Sequence, residues 1–173
     1  MFLVLSTSLN DSSRSRILAR YAADQLQSKA MQCEWVDLAE LPLPACDGGP
    51  CYQDPNVQHI NSLVQSAKGI LIAAPVYNYN LSSTAKNLIE LTGKSWTDKI
   101  VGFLCAAGGQ SSYMGVMGLA NSMMLDFRTV ILPRFVYTTG EAFSGNEIAE
   151  TDVEVRVVEL VDQLIHFSTA LSQ

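Results

Sequence analysis

Short apolar runs alternate along this chain with longer segments in which apolar residues recur at helical spacing. The short runs predict five β-strands, at Phe2–Ser6, 33–38, 69–75, Ile100–Ala107 and 129–137. Pro133 predicts a break or an edge position in the last strand, because proline cannot donate to a sheet.

Five helices are predicted between and after these strands, and polar residues mark several of their first turns. The helices cover 14–29, the segment after Asp54-Pro55, the segment after Ser82 or Ser83, 116–127, and the segment from Thr151. Thr151 and Glu154 predict a capping box at the start of the last helix. The segment 41–55 is rich in proline and glycine, which predicts a loop.

This alternation of strands and helices predicts an α/β fold, because strands that are separated by helices cannot pair as hairpins. They instead form a parallel sheet with right-handed crossovers. We therefore expect a flavodoxin-like three-layer α/β/α domain with a five-stranded parallel sheet of order 2-1-3-4-5. The strand at 33–38 alternates more than the others, as an edge strand does. We expect residues 1–173 to form a single domain.

Composition and charge narrow the function further. The 48% hydrophobic content excludes a disordered chain, and the net charge of −6 argues against non-specific nucleic-acid binding. No run approaches the ~18 apolar residues of a membrane span, and the N-terminus is typical of a first strand rather than a signal peptide. We expect a cytoplasmic protein without nucleic-acid or membrane partners.

The cysteine pattern predicts no disulfide framework and no metal site. Cys33 and Cys105 lie inside apolar runs, where we expect buried, reduced thiols. Cys46 and Cys51 are too few ligands for a structural zinc or iron–sulfur centre. We interpret them as ordinary loop cysteines, with a redox-active pair as the alternative.

Ligands of such sheets bind at the carboxyl ends of the strands, so the loops after strands one, three and four are the places where a site is expected. The segment 6–16 holds five serines, a threonine and two arginines before a helix, and such a helix start can surround a phosphate. It matches neither G-x-G-x-x-G nor a Walker A loop. An ordinary polar loop with a serine cap is the alternative.

The loops after strands three and four can supply side chains and backbone groups that contact a ligand. Pro75, Tyr77 and Tyr79 can flank a flat aromatic ligand, although a simple Tyr/Asn-rich turn is the alternative. Gly108 and Gly109 allow the backbone to approach a ligand, although a strand-to-helix turn with positive φ would explain the same glycines. Each loop alone is only weak evidence of a ligand-binding site. The evidence is stronger because all three loops are expected at the same edge of the sheet.

With these motifs the chain resembles the NADPH-dependent FMN reductase family, which includes quinone, azo and chromate reductases. The resemblance extends to about Tyr137, and its most specific element is Pro75-Val76-Tyr77-Asn78-Tyr79 running into Lys86-Asn87. The other matching residues are Ser8-Leu9 through Ser13 with Arg16, Trp96 with Lys99, and Gly108-Gly109. The resemblance implies FMN contacts through the phosphate (Ser8, Asn10, Ser13, Ser15, Arg16), the ribityl chain and isoalloxazine (Pro75, Val76, Tyr77, Asn78), and the pyrimidine edge (Gly108, Gly109, Gln110).

The resemblance also implies an FMN-dependent NAD(P)H oxidoreductase. Hydride would pass from NADPH or NADH through FMN N5 to a quinone-like, azo, flavin or metal-oxyanion acceptor. The flavin would carry the chemistry, so no catalytic side chain is expected, and a homodimer or homotetramer is implied. The alternatives are a flavodoxin-like electron-transfer or flavin-binding module, or a degenerate family member with weak FMN binding. The alternative of a degenerate member with weak FMN binding rests on Asn10, where the family usually has arginine, and on the negative charge of Asp11.

Overall fold

A computed structural model describes residues 1–171, so the last two residues of the expected domain, 172 and 173, lie outside the described part of the chain. The strands are β1 (Phe2–Ser6), β2 (Cys33–Asp37), β3 (Gly69–Tyr77), β4 (Asn80–Leu81), β5 (Ile100–Ala107), β6 (Val130–Ile131), β7 (Val136–Thr139), β8 (Phe143–Ser144) and β9 (Glu147–Ile148). The α-helices are α1 (Arg14–Ser28), α2 (Pro55–Ser66), α3 (Ser83–Thr92), α4 (Met117–Phe127) and α5 (Thr151–Ala170). Short 3₁₀ turns occupy Pro50–Gln53, Gly93–Trp96, Gln110–Val116 and Gly140–Ala142.

The main sheet is parallel and confirms the flavodoxin-like fold. Its order is β2-β1-β3-β5, with β6 and β7 both paired to β5. Taking β6 and β7 as one interrupted strand, the order is the expected 2-1-3-4-5. The expected strand at 129–137 is broken around Pro133, because proline lacks an N–H and Arg134 takes a left-handed conformation with φ of 57°. Two short antiparallel pairs, β3–β4 and β8–β9, were not expected from the sequence.

Helices cover both faces of the sheet, which gives the three expected layers. Side chains alternate along each strand, so Leu3 and Leu5 pack on one face while Phe2 and Val4 pack on the other. The first face is covered by α2, α3 and α4, and the second by α1 and α5. All residues of β5 are buried, as expected for a strand inside a parallel sheet.

Most helices begin at the predicted polar residues, but the last does not. Ser13, Asp54 and Ser82 each accept a backbone N–H of the helix that they cap. The predicted capping box at Thr151 and Glu154 is wrong: Thr151 is already helical, and the cap residue Glu150 makes no side-chain bond. The N–H groups of Val153 and Glu154 bind the Glu150 carbonyl instead, and acidic residues in the first turn favour the helix dipole.

All four cysteines are free thiols. Cys105 is buried as expected, and burial raises its pKa to about 12. Cys33 is only half-buried rather than buried, because its strand lies at the sheet edge, and partial burial raises its pKa to about 11. The Cys46 thiol lies 3.6 Å from the Tyr52 hydroxyl, and Cys51 is buried. Within residues 1–171, no helix has both the length and the apolar character that crossing a membrane requires.

Candidate cofactor-binding site

The loops after β1, β3 and β5 enclose one cleft at the carboxyl edge of the sheet. Its volume is about 660 Å³, within the ~300–1,000 Å³ typical of ligand pockets. The lining residues are Ser8, Asn10, Ser12, Ser13, Arg14, Ser15, Pro75, Val76, Tyr77, Asn78, Ala106, Ala107 and Gly108. Three segments that are far apart in sequence therefore meet where the strand order predicts a ligand.

Nine of the twelve residues implied by the family resemblance line this cleft, and three do not. Arg16 lies behind the loop, and Gly109 and Gln110 lie just beyond the lining. Sequence reasoning missed Ser12, Arg14, Ala106 and Ala107. A signal for Arg14 was present, since a cation in the first turn of a helix opposes the helix dipole.

Serine hydroxyls and free amide groups line the end of the cleft at the start of α1. Ser8, Ser13 and Ser15 are nearly fully buried, and the Ser13 and Ser15 hydroxyls lie 3.0 Å apart. The Ser13 hydroxyl accepts the Arg16 N–H, and the N–H groups of Arg14 and Ser15 precede the first intrahelical bond. Hydroxyls, free amides and a positive dipole end are the donor set that a phosphate requires.

A network of hydrogen bonds shapes the loop between β1 and α1. The Ser8 hydroxyl accepts the Asn10 N–H at 3.3 Å, and Asn10 Oδ1 accepts the Ser12 N–H at 2.9 Å. Asp11 lies outside the 660 Å³ cleft and lines a separate one with Leu9 and Leu38. The expected negative charge of Asp11 at the phosphate end is therefore not part of the lining of the candidate site.

Arg16 holds this loop from behind. Its Nε donates to the Asp37 carboxylate, and its Nη2 lies 3.4 Å from the second carboxylate oxygen. Its remaining donors bind the carbonyls of Ser8 at 3.0 Å, Asn10 at 2.7 Å and Asp11 at 3.1 Å. All three guanidinium nitrogens are thus engaged within the protein.

The aromatic segment after β3 is a tight hairpin. Asn78 and Tyr79 have positive φ values of 50° and 63°, and Tyr77 pairs with Asn80 across the turn. Two consecutive left-handed residues are characteristic of a two-residue hairpin turn. The turn leaves the Tyr77 and Tyr79 side chains 55% and 56% exposed, and of these two only Tyr77 lines the cleft.

The glycine pair after β5 faces open space. A Cβ at Gly108 or Gly109 would meet no atom within 4 Å, and neither glycine has a positive φ. The alternative explanation of these glycines as a turn that needs positive φ is therefore wrong. The Tyr137 hydroxyl donates to the Gly109 carbonyl, and burial raises the pKa of Tyr137 above its usual value.

A larger groove of about 740 Å³ lies elsewhere, between α5 and the segment around Phe135. It carries both signs of charge, because Arg134, Arg156, Glu159 and Asp162 all belong to its lining, and none of its lining residues is at the start of an α-helix. Its lining is not a phosphate or flavin donor set, so the cleft at the sheet edge is the better candidate. Within residues 1–171, no three His, Cys, Asp or Glu side chains cluster as metal ligands.

Comparison with known proteins decides the family. The sequence profile described as NADPH-dependent FMN reductase matches residues 1–144, which includes every residue that lines the cleft. The chain belongs to the NADPH-dependent FMN reductase family. This confirms the resemblance found in the sequence. It also confirms that the protein is an oxidoreductase with FMN as its cofactor and a nicotinamide nucleotide as its co-substrate.

Individual relatives are distant. A Geobacillus thermodenitrificans protein named NAD(P)H-dependent FAD/FMN reductase is 25% identical over 79% of this chain and 75% of its own length. An Arabidopsis thaliana protein named NADPH:quinone oxidoreductase is 30% identical over 61% of this chain but only 57% of its own length. The solved structure of FerB, an NAD(P)H:(acceptor) oxidoreductase from Paracoccus denitrificans, superposes with a TM-score of 0.80 over 98% of this chain and 97% of that one, at 17% identity. That superposition supports the fold of this family member.

Proposed function

We propose that this family member is an FMN-dependent NAD(P)H oxidoreductase that reduces a small, flat acceptor such as a quinone. The observation that carries the proposal is the single cleft in which a phosphate donor set, a tyrosine-rich turn and an unobstructed glycine meet. A relative named as a quinone oxidoreductase supports the acceptor class. Azo compounds, free flavins and metal oxyanions are the other acceptors that a screen must include.

The residues present fit FMN. The hydroxyls of Ser8, Ser13 and Ser15 and the first amides of α1 would hold the phosphate. Pro75, Val76, Tyr77 and Asn78 would line the ribityl chain and the ring. Gly108 would meet the ring edge, and Gly109 and Gln110 continue the same loop. The assignment of these residues and Asn10 to cofactor binding belongs to the proposal, in which Arg16 would support the site by holding the loop from behind.

Bound FMN would supply the hydride-transfer chemistry, and the protein would bind and orient the reactants. The described lining contains no carboxylate, histidine, cysteine or lysine. The described lining therefore offers no carboxylate, imidazole, thiol or amine for general acid–base chemistry. Backbone N–H groups after β5 would face negative charge that develops at the ring edge.

A cleft-filling substitution tests the proposal. A Gly108→Leu side chain enters open space beside the cleft, so we expect a folded protein that has lost FMN binding and NAD(P)H oxidation. Gly118→Leu is the matched control, since Gly118 is an exposed position of α4 outside this cleft. Flavin fluorescence gives binding, and absorbance of NADPH or NADH with a quinone gives turnover. Wild-type protein that binds no FMN would contradict the proposal.

The same experiment separates the alternatives. Protein that binds FMN but does not oxidise NADPH or NADH would be an electron-transfer or flavin-binding module. Comparing the two nicotinamides under identical conditions assigns the co-substrate. A family member with FMN affinity too weak for occupancy would show turnover only with added FMN.

We also propose that residues 1–173 act as one domain in a cytoplasmic homodimer or homotetramer. Exposed apolar side chains support self-association: Tyr79 and Met114 lie at the carboxyl edge of the sheet, and Leu125 lies on α4. Four free thiols support a reducing compartment. Light scattering after size exclusion measures the oligomeric state, and a monomer at all concentrations would contradict it.

A further inference from the structure

A cation would strengthen phosphate binding in this cleft, but the guanidinium of Arg16 is already bound elsewhere in the protein. Its side chain is only 13% exposed and is paired with Asp37, whose side chain is 2% exposed. Its nitrogens bind three loop carbonyls besides that carboxylate, and it is absent from the cleft lining. The charge of Arg16 is therefore neutralised within the protein.

Arg14 is the basic residue that does line the cleft. It is the first residue of α1, it is exposed, and within the described residues no hydrogen bond or ion pair of its guanidinium is recorded. No acidic residue lies in the first turn of α1. The helix dipole disfavours a cation at this position, so the charge of Arg14 does not stabilise α1.

A glycine leaves room for the observed position of this arginine. The Arg14 guanidinium lies directly against Gly140, in the turn that follows β7. A Cβ at Gly140 would collide with Nη1 and Cζ, and would lie 2.7 Å from Nη2. Only a residue without a side chain leaves room for the guanidinium here, so Arg14 bridges the start of α1 and the turn after β7.

The remaining groups of the cleft make Arg14 the dominant charge. Ser8, Ser13 and Ser15 supply neutral hydroxyls, and no carboxylate belongs to the described lining. The chain has a net charge of −6, so a local cation would favour an anion in this cleft against the overall field. An arginine beside free helix amides gives charge-assisted hydrogen bonds to phosphate oxygens.

We propose that Arg14, whose guanidinium lies against Gly140, is the residue that binds the phosphate of the flavin nucleotide, while Arg16 is a positioning residue that holds the loop. This inference rests on the proposed function, because it concerns the same cleft. It predicts discrimination between FMN and riboflavin, which differ only in the phosphate. Removing the Arg14 side chain is therefore expected to weaken the binding of FMN but not that of riboflavin.

The test is a fluorescence titration of apo-protein with FMN and with riboflavin at low and high salt. For Arg14→Gln we expect an FMN Kd raised roughly 10- to 100-fold, with riboflavin affinity unchanged and a weaker salt dependence. Arg20→Gln is the matched control, since Arg20 lies on the same helix over the Trp35 ring and has the same charge. The thermal midpoint of Arg14→Gln apo-protein is expected to be unchanged or higher, since the helix dipole is relieved.

Gly140→Ala supplies an independent variant, because it displaces the guanidinium without changing its charge. We expect weaker FMN binding in Gly140→Ala, and no further loss when Gly140→Ala is added to Arg14→Gln. An Arg14→Gln protein with the wild-type ratio of FMN to riboflavin affinity would overturn the inference and leave the proposed function standing. Wild-type protein that binds neither flavin would overturn both.

Discussion

The buried ion pair between Arg16 and Asp37 gives the sharpest stability prediction. Asp37→Asn keeps the shape of the side chain and an acceptor for the Ala39 N–H, now 3.1 Å from Oδ1. It removes the negative charge beside a guanidinium that is only 13% exposed. The positive charge of Arg16 then stays largely buried without a counter-charge.

The magnitude follows from this burial. Breaking a buried ion pair from one side costs about 3–5 kcal/mol, whereas losing one ordinary hydrogen bond costs about 1 kcal/mol. Whole domains have about 5–15 kcal/mol of unfolding free energy, so the larger cost is a sizeable fraction. For a chain of this size the unfolding midpoint is expected to fall by roughly 6–20 °C.

Urea unfolding at neutral pH, monitored by far-UV circular dichroism, measures the change in unfolding free energy. The matched control is Asp98→Asn, which breaks the exposed pair with Arg128, whose side chains are 64% and 71% exposed. Asparagine tolerates the left-handed backbone of Asp98, where φ is 60°. We expect no resolvable loss in the control. Equal, small effects in both variants would refute the assignment of a buried pair that holds the β1–α1 loop.

Two further predictions concern groups whose pKa values are raised by burial. Tyr137→Phe removes the donor to Gly109, so we expect a loss of about 1 kcal/mol in unfolding free energy and a weaker hold on FMN. Because the folded-state pKa of Tyr137 lies above its usual 10.0, its stabilising contribution is present below pH 10 and lost as pH rises through the folded-state value. Urea unfolding at pH 8 and pH 11 tests this, and a gap between wild type and variant that widens at pH 11 would contradict it. Alkylation at pH 8 followed by mass spectrometry is expected to modify half-buried Cys46 in the folded protein and spare buried Cys105, whose pKa is about 12; rapid native labelling of Cys105 would contradict its burial.

The fold was predictable because its signals are local and repeated. A short, two-sided apolar run such as Ile100–Ala107 favours a central strand, and Asp54-Pro55 favours a helix start through its own capping and backbone preference. The errors lie where tertiary context decides. Cys33 is half-buried rather than buried because its strand lies at the edge of the sheet. The last helix begins one residue earlier than expected, so Thr151 is not its cap residue and no capping box forms.

The candidate site was predictable in its location but not in the roles of its charges. Strand order alone brings the three loops together, so the sequence predicts that Ser13, Tyr77 and Gly108 share one cleft, and the structure places them there. The two arginines of the first turn differ only in which way they point. The Arg16 side chain binds Asp37, which lies 21 residues later in the sequence, and the Arg14 side chain lies against Gly140. Neither contact can be predicted from the local sequence.

The central claim is that a flavin mononucleotide binds at the carboxyl edge of the sheet, between the start of α1 and the loops after β3 and β5. A crystal structure of the protein grown with FMN tests it most directly. We expect the phosphate at the amides of Arg14 and Ser15, and the ring between Tyr77 and Gly108. Flavin density in the groove beside Phe135, or a cleft that holds only water at saturating FMN, would contradict the account.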